Sequence, residues 1–223
     1  MKKRILSAVS VLVLCTALSA AAVITGISGG LTEEQTDDLL SQYVRLDQVC
    51  EPFESEYLPC CEIASCKLFG TEREGEYLYV YTDILDETYV LFEGKAYSQS
   101  GSHMPVKLKL KEEGGGLKLI EALYPEDGDA YWESMKEMFP VKYLWQYEYY
   151  YHGNYERLYT ELEDDQEEKL KKLWGDNVAL ERDNMLDIEE DGSYRLWSAG
   201  DGSAEEFEVI VIKEGCFAKD VRP

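Results

Sequence analysis

Histidine is scarce in this chain: among 223 residues only His103 and His152 occur, far apart in the sequence. They make no zinc-ligating pair, and no C-x-x-C stands near to help, so neither a metal centre nor thioredoxin-type redox chemistry is expected. A P-loop and the Rossmann glycine pattern are also missing, which removes the common nucleotide-binding modes. No cofactor is expected. Positive charge is short as well: 22 Lys and Arg stand against 45 Asp and Glu, a formal net charge of -23. A field of that sign repels phosphate backbones and anionic headgroups, which argues against nucleic-acid and peripheral membrane binding. Its plain consequence is solubility; attraction of calcium or of a basic partner is the less specific one. After the N-terminus there is no second apolar run of bilayer-spanning length.

What is present begins with an export signature. Lys2-Lys3-Arg4 is a basic leader, Ile5 to Leu18 is uncharged and mostly apolar, and small residues follow at Ala17, Ser19, Ala20, Ala21 and Ala22. This is the pattern of a signal peptide over residues 1–22, with cleavage fitting after Ser19 or Ala22. Retained instead, the stretch through Ile27 is about long enough to anchor the chain. Cys15 follows Leu14 rather than a small residue, which speaks against lipidation. The remainder is expected to be extracytoplasmic, secreted or membrane-tethered, touching a membrane only through a retained leader.

Five cysteines follow the leader: Cys50, Cys60, Cys61, Cys66 and Cys216. All five are candidate disulfide partners, and their odd number leaves at least one free thiol or an intermolecular bond. Adjacent Cys60 and Cys61 point opposite ways on an extended chain, so one of them at most faces a given partner. The pairing stays open at this point.

The core is expected over residues 31–140. Thr32 and Gln35 have capping-box spacing, with Glu33 and Glu34 suited to the positive end of a helix. Leu39, Leu40, Tyr43 and Val44 then recur at helical spacing, giving one apolar face. Short strands are expected next, over 62–71, from Tyr77 toward Leu85, over Thr88–Phe92, and in a hairpin of Val106–Lys111 with Leu117–Tyr124. In the first arm of that hairpin Val106, Leu108 and Leu110 alternate with Lys107, Lys109 and Lys111, one face wet and one buried. Its second arm loses the alternation between Leu119 and Ile120, which predicts a bulge. Ser100-Gly101-Ser102 reads as a looser section. A short helix capped by Asp129 should end at Phe139-Pro140.

The order Tyr79-Val80-Tyr81, Ser100-Gly101-Ser102, Pro105-Val106, a glycine-turned hairpin, Tyr124-x-x-Asp127-Gly128, a short helix and Phe139-Pro140 resembles an uncharacterised extracytoplasmic domain of Gram-positive bacteria. That domain occurs alone or attached to membrane metalloproteases of the beta-lactam-sensor/antirepressor type. The resemblance covers about Leu31 to Pro140. It implies a helix-on-sheet fold similar to cystatin-like or NTF2-like domains, and a sensory or binding role. It implies no catalytic residue, and the protease motif H-E-x-x-H is absent from this chain.

Residues 141–175 are rich in aromatics. Tyr147, Tyr149, Tyr150, Tyr151 and Tyr155 are candidate ligand contacts, since flat rings stack on sugars or partners; the plainer expectation is that they pack on the sheet. From Asn154 to Trp174 the apolar residues follow a helix that Gly175 can end, with the acidic run Glu161–Glu168 as a solvated face. Residues 176–223 read as a small β-hairpin appendage turning at Glu190-Asp191-Gly192, with a further strand at Phe207–Ile212. Asp187, Glu189 and Asp191 have calcium-loop spacing, but Ser198 stands where the bidentate glutamate belongs, so the hairpin is preferred.

The expected fold is therefore α+β, an N-terminal helix on a curved antiparallel sheet, followed by C-terminal helices. His103 beside Ser100 and Ser102 is the one local cluster with nucleophile chemistry, and a loop placement would leave its base unoriented. A non-enzymatic sensory or protein-interaction role at the cell envelope is expected, its protein or glycan partner unidentified. The alternatives are a glycan- or cell-wall-binding module, and a hydrolase working through two facing acids in a deep pocket.

Overall fold

A computed structural model describes residues 31–46, 58–188, 194–198 and 208–210. The expected leader, Cys15, Cys50, Cys216 and the turn at Glu190–Gly192 lie outside the described residues. Contacts divide the chain into Met1–Asp37 and Asp38–Pro223. The first unit contributes the start of helix α1 (Glu33–Leu46). Its cap is the expected reciprocal pair: the Thr32 N–H donates to Gln35 Oε1 at 3.0 Å, and the Gln35 N–H to Thr32 Oγ1 at 3.2 Å.

The second unit is built on one seven-stranded sheet with an α+β order of elements. Strands β1 (Cys60–Glu74), β2 (Tyr77–Phe92), β3 (Lys95–Glu113) and β4 (Gly116–Leu123) form an antiparallel meander. Two readings of the sequence are corrected here. The segments from Tyr77 and from Thr88 are one strand, β2, and Ser100-Gly101-Ser102 is no loose section but part of β3, opposite Asp86 to Thr88. The polar residues that break the apolar pattern in both places continue the ladder because the neighbouring strand supplies their backbone partners. Gly101 makes the fit possible, since a Cβ there would crowd the Asp86 carbonyl. The bulge in β4 falls where alternation is lost: Lys109 pairs with Glu121 and Leu110 with Leu119, leaving Ile120 out of register and exposed.

Leu108 and Leu110 are buried, as are Leu39, Leu40 and Tyr43 of α1. Gln42 fixes the helix to the hairpin, donating to Leu117 O at 2.9 Å and accepting from the Leu119 N–H at 2.8 Å. In β2, every residue from Val80 to Leu85 is buried, so both faces of that strand are covered.

The second cover consists of α2 (Tyr131–Met138), α3 (Val141–Tyr151) and α4 (Tyr155–Trp174). A 3-10 turn, Gly128–Ala130, leads into α2. Asp129 lies inside this turn rather than capping the helix, and neither Asp127 nor Ala130 makes a side-chain cap. Phe69 and Tyr81 of the sheet pack with Met135, Phe139, Tyr143, Leu144 and Tyr147 of the helices. Further along the sheet Leu85 meets Leu158 and Leu162, and Tyr89 meets Leu170. Gly175, at φ +105°, ends α4 as expected. The acidic run is a solvated face only in part: within it Leu162 and Gln166 are buried against the sheet.

The C-terminal strands β5 (Ala179–Ile188), β6 (Tyr194–Ser198) and β7 (Glu208–Ile210) belong to the same sheet. β5 pairs in parallel with the start of β3, from Lys95 to Ser98, while β4 pairs with its far end, from Lys107 to Glu113. The 19-residue length of β3 is what lets two strands share one of its edges.

Candidate functional site: a tyrosine-lined cavity over Asp83 and His103

Strand geometry decides what His103 can meet. His103 is opposite Leu85 in the ladder and Asp83 is opposite Pro105, which makes Asp83 and His103 diagonal neighbours on one face. Ser102, its neighbour in sequence, belongs to the other face by alternation, and so does Ser100. The Ser-His cluster suggested by the sequence is thus taken apart, and an acid from β2 takes the place beside the imidazole.

His103 Nε2 lies 3.0 Å from Asp83 Oδ2, and Nδ1 lies 2.9 Å from the Tyr155 hydroxyl. A carboxylate only accepts, so Nε2 carries the proton of the first bond; in the neutral ring Nδ1 then accepts the Tyr155 proton. Both side chains are almost fully buried, His103 at 8% and Asp83 at 4% exposure. Asp83 Oδ1 is buried too and has no hydrogen-bond partner.

Above this pair is a cavity of about 290 Å³, lined by Asp83, His103, Tyr131, Tyr147, Tyr150, Tyr151, Tyr155 and Leu158. Helical spacing assembles the wall. Tyr147, Tyr150 and Tyr151 recur at i, i+3 and i+4 on α3, while Tyr155 and Leu158 are i and i+3 on α4. The Tyr131 and Tyr147 hydroxyls are 2.7 Å apart. Tyr147 stacks on Tyr151 with centroids 5.7 Å apart, and the Tyr155 and His103 rings are 5.2 Å apart. Burial pushes up the pKa of the Tyr131, Tyr147 and Tyr155 hydroxyls, and the Asp83 charge adds to the rise in all three.

Four of the five tyrosines singled out from sequence therefore line the cavity, and Tyr149 does not. Tyr147 is buried, while Tyr151 and Tyr155 are each 46% exposed and form the lip. Tyr149 faces solvent together with Val141 and Trp145, an i, i+4, i+8 row along α3. His152 is at the end of α3, its ring stacked on Trp132 at 6.1 Å. Sequence reasoning missed Asp83 and Tyr131. The available signal for Asp83 was an acid in the middle of an apolar strand, a position that demands a partner.

A second hollow, about 310 Å³, shares His103 as a wall and is lined with acid: Glu87, Glu163 and Glu181, together with Tyr159 and Arg182. Tyr159 donates to Glu87 Oε1 at 3.1 Å. Arg182 reaches Glu163 at 3.3 Å, Asp164 at 2.7 Å and Glu167 at 3.1 Å. Burial raises the Glu163 pKa, the nearby Glu87 adds to the rise, and Arg182 opposes it.

Of the candidate disulfide residues, Cys61 is a free thiol. Cys60 packs with the Val90 cluster and Cys61 with the Tyr89 cluster, as alternation on an extended strand requires. Among the described residues no group of three or more His, Cys, Asp or Glu is arranged to hold a metal ion, and no helix is long and apolar enough to cross a membrane. Comparison with protein families, with characterised proteins and with solved structures finds no match.

Proposed function

We propose that this chain is an extracytoplasmic recognition domain of the bacterial cell envelope, sensory or protein-interacting, and that it acts by binding rather than by making or breaking bonds. The cavity under α3 carries this reading. Its wall is aromatic, its floor is a buried Asp-His pair, and its lip is open at Tyr151 and Tyr155. Such a mix of apolar wall and few fixed polar groups is how ligand pockets are generally built. Both ring nitrogens of His103 are already engaged, and the serines next to it in sequence belong to the opposite face. That arrangement suits a rigid floor better than a base waiting for a nucleophile.

The test is capture from envelope extracts with the exported chain as bait, beside Tyr151→Ala and Tyr155→Ala. Loss of the captured partner in both variants is expected. Retention of the same partner by both would remove the cavity from the reading. Recovery of wall polysaccharide would move the assignment to a glycan- or cell-wall-binding module, which the exposed Tyr149, Tyr151 and Tyr155 rings favour.

A hydrolytic reading rests on a different observation, the two acids Glu87 and Glu163 in one hollow, one of them with a raised pKa. It predicts glycoside turnover that disappears in both Glu87→Gln and Glu163→Gln. Activity unchanged in either variant would dismiss it.

A further inference from the structure

We infer that Gln42 closes the outer edge of β4 against pairing with a second copy of this chain, its carboxamide standing where the next strand would be. β4 pairs with β3, and among the described residues no strand lies along its other side. An edge of that kind offers unpaired N–H and C=O groups to any other chain. Here a side chain takes two of them. Leu117 O accepts from Gln42 Nε2 at 2.9 Å, and the Leu119 N–H donates to Gln42 Oε1 at 2.8 Å. These two groups flank Lys118, and they are the pair that one residue of a parallel neighbouring strand would bond. The carboxamide repeats that residue's donor and acceptor in the same order.

The clip is fixed from behind. Gln42 Nε2 also donates to Asp38 Oδ2 at 2.9 Å, one turn back on α1, so the amide cannot turn over without losing all three bonds. Leu39, Leu40 and Tyr43, all buried, hold that stretch of the helix in place. Beyond the clip the strand stays open: Lys118, Ile120 and Glu121 are exposed. Its own sequence selects the occupant. Two antiparallel copies of β4, centred between Leu119 and Ile120, set Lys118 of each against Glu121 of the other, opposite charges twice over. Ile120, 41% exposed, adds apolar contact next to the axis. With Gln42 in position that pairing is blocked, because the Leu117 and Leu119 groups at its centre are already bonded.

Light scattering on the exported chain, read together with amide exchange at Leu119, tests this over a concentration series of the wild type, Gln42→Ala and Gln42→Met. The wild type is expected to stay monomeric, with its Leu119 amide equally protected at every concentration. Both variants should rise to about twice the monomer mass as concentration increases, as a closed two-fold pair requires. Their Leu119 amide should exchange about tenfold or more faster than in the wild type when dilute, and regain protection in the dimer. Gln42→Met keeps the length and helix preference of the side chain, so the test stands even if Gln42→Ala loosens α1. Adding Ile120→Lys to either variant places a charge on the open edge and should restore the monomer. Variants that remain monomeric throughout would overturn the inference, as would a wild type that dimerises as they do. A rise in mass without concentration-dependent protection at Leu119 would put the contact elsewhere on the chain and overturn it as well.

Discussion

Tyr143 of α3 lies against Gly70 of β1 so closely that a methyl group on the glycine would overlap its ring. The same ring stacks on Tyr81 at a centroid distance of 5.0 Å, and its hydroxyl donates to Thr71 O at 3.1 Å. Gly70 follows an irregularity in the ladder that leaves Phe69 without a register partner and buried among the helices. One bare backbone position thus lets α3 sit down on the sheet, and α3 carries the cavity wall. Gly70→Ala should push Tyr143 away and cost about 1–3 kcal/mol, in the range for overpacking a fitted core. Chemical denaturation measures this; an unchanged midpoint would mean the contact is slack.

Gln166 gives a second test of how the helices are held. It is fully buried, bonds the Tyr89 hydroxyl at 2.5 Å, and donates to Leu85 O at 3.0 Å and Ile63 O at 3.2 Å. Gln166→Ala strands these groups and opens a void, so a loss of about 2–4 kcal/mol is expected. Glu168→Ala, in the same run but without any of these bonds, should change stability by less than about 0.5 kcal/mol. Equal effects from the two would refute the view that only part of this acidic stretch is solvated.

Cys61 should be a slow thiol. Burial first, and then neighbouring Cys60, push its pKa up to about 12. The nucleophile is the thiolate, so at pH near 8 alkylation of the folded protein at Cys61 should be far slower than after unfolding in guanidinium. Peptide mapping after iodoacetamide reads this directly. Fast labelling at Cys61 in the native state would contradict the burial.

Two glutamates on α4 should pull the pH dependence of stability in opposite directions. Hydrogen bonds from Lys67 and Arg157 lower the Glu161 pKa below its ordinary value of about 4.5. Its contribution is therefore complete above that value and lost as pH falls through the folded pKa. Glu163 is raised above 4.5 by burial, so the folded state holds its proton more tightly. Its contribution is complete below that value and declines as pH rises through the folded pKa. Relative to wild type, Glu163→Gln should thus gain stability as pH climbs above 4.5, and Glu161→Gln should lose ground as pH climbs toward 4.5 from below. Parallel curves for the wild type and either variant would count against the corresponding shift.

Much of the scaffold was readable in advance because its signals are local. The Thr32–Gln35 box, the Gly175 stop and the alternation of Val106 to Lys111 each depend on residues a few positions apart. So does the bulge at Ile120, which is simply a break in a two-residue period. The long strands were misread where polar residues interrupt the pattern. Glu87 looks like the gap between two strands until Tyr159 is seen to bond it. The tyrosines of 147 to 155 stood out by composition, but composition does not say which rings turn inward.

The capped first helix and the two faces of Val106 to Lys111 were written into the sequence itself, since backbone sterics and apolar periodicity act over neighbouring residues. Tertiary structure alone decided that Asp83 rather than a serine meets His103. That choice depends on how β2 and β3 slide past one another, and on α2, α3 and α4 bringing rings from Tyr131 to Tyr155 over the same point. Such coincidences come from pairing and packing between distant segments, where no short stretch of sequence holds the answer.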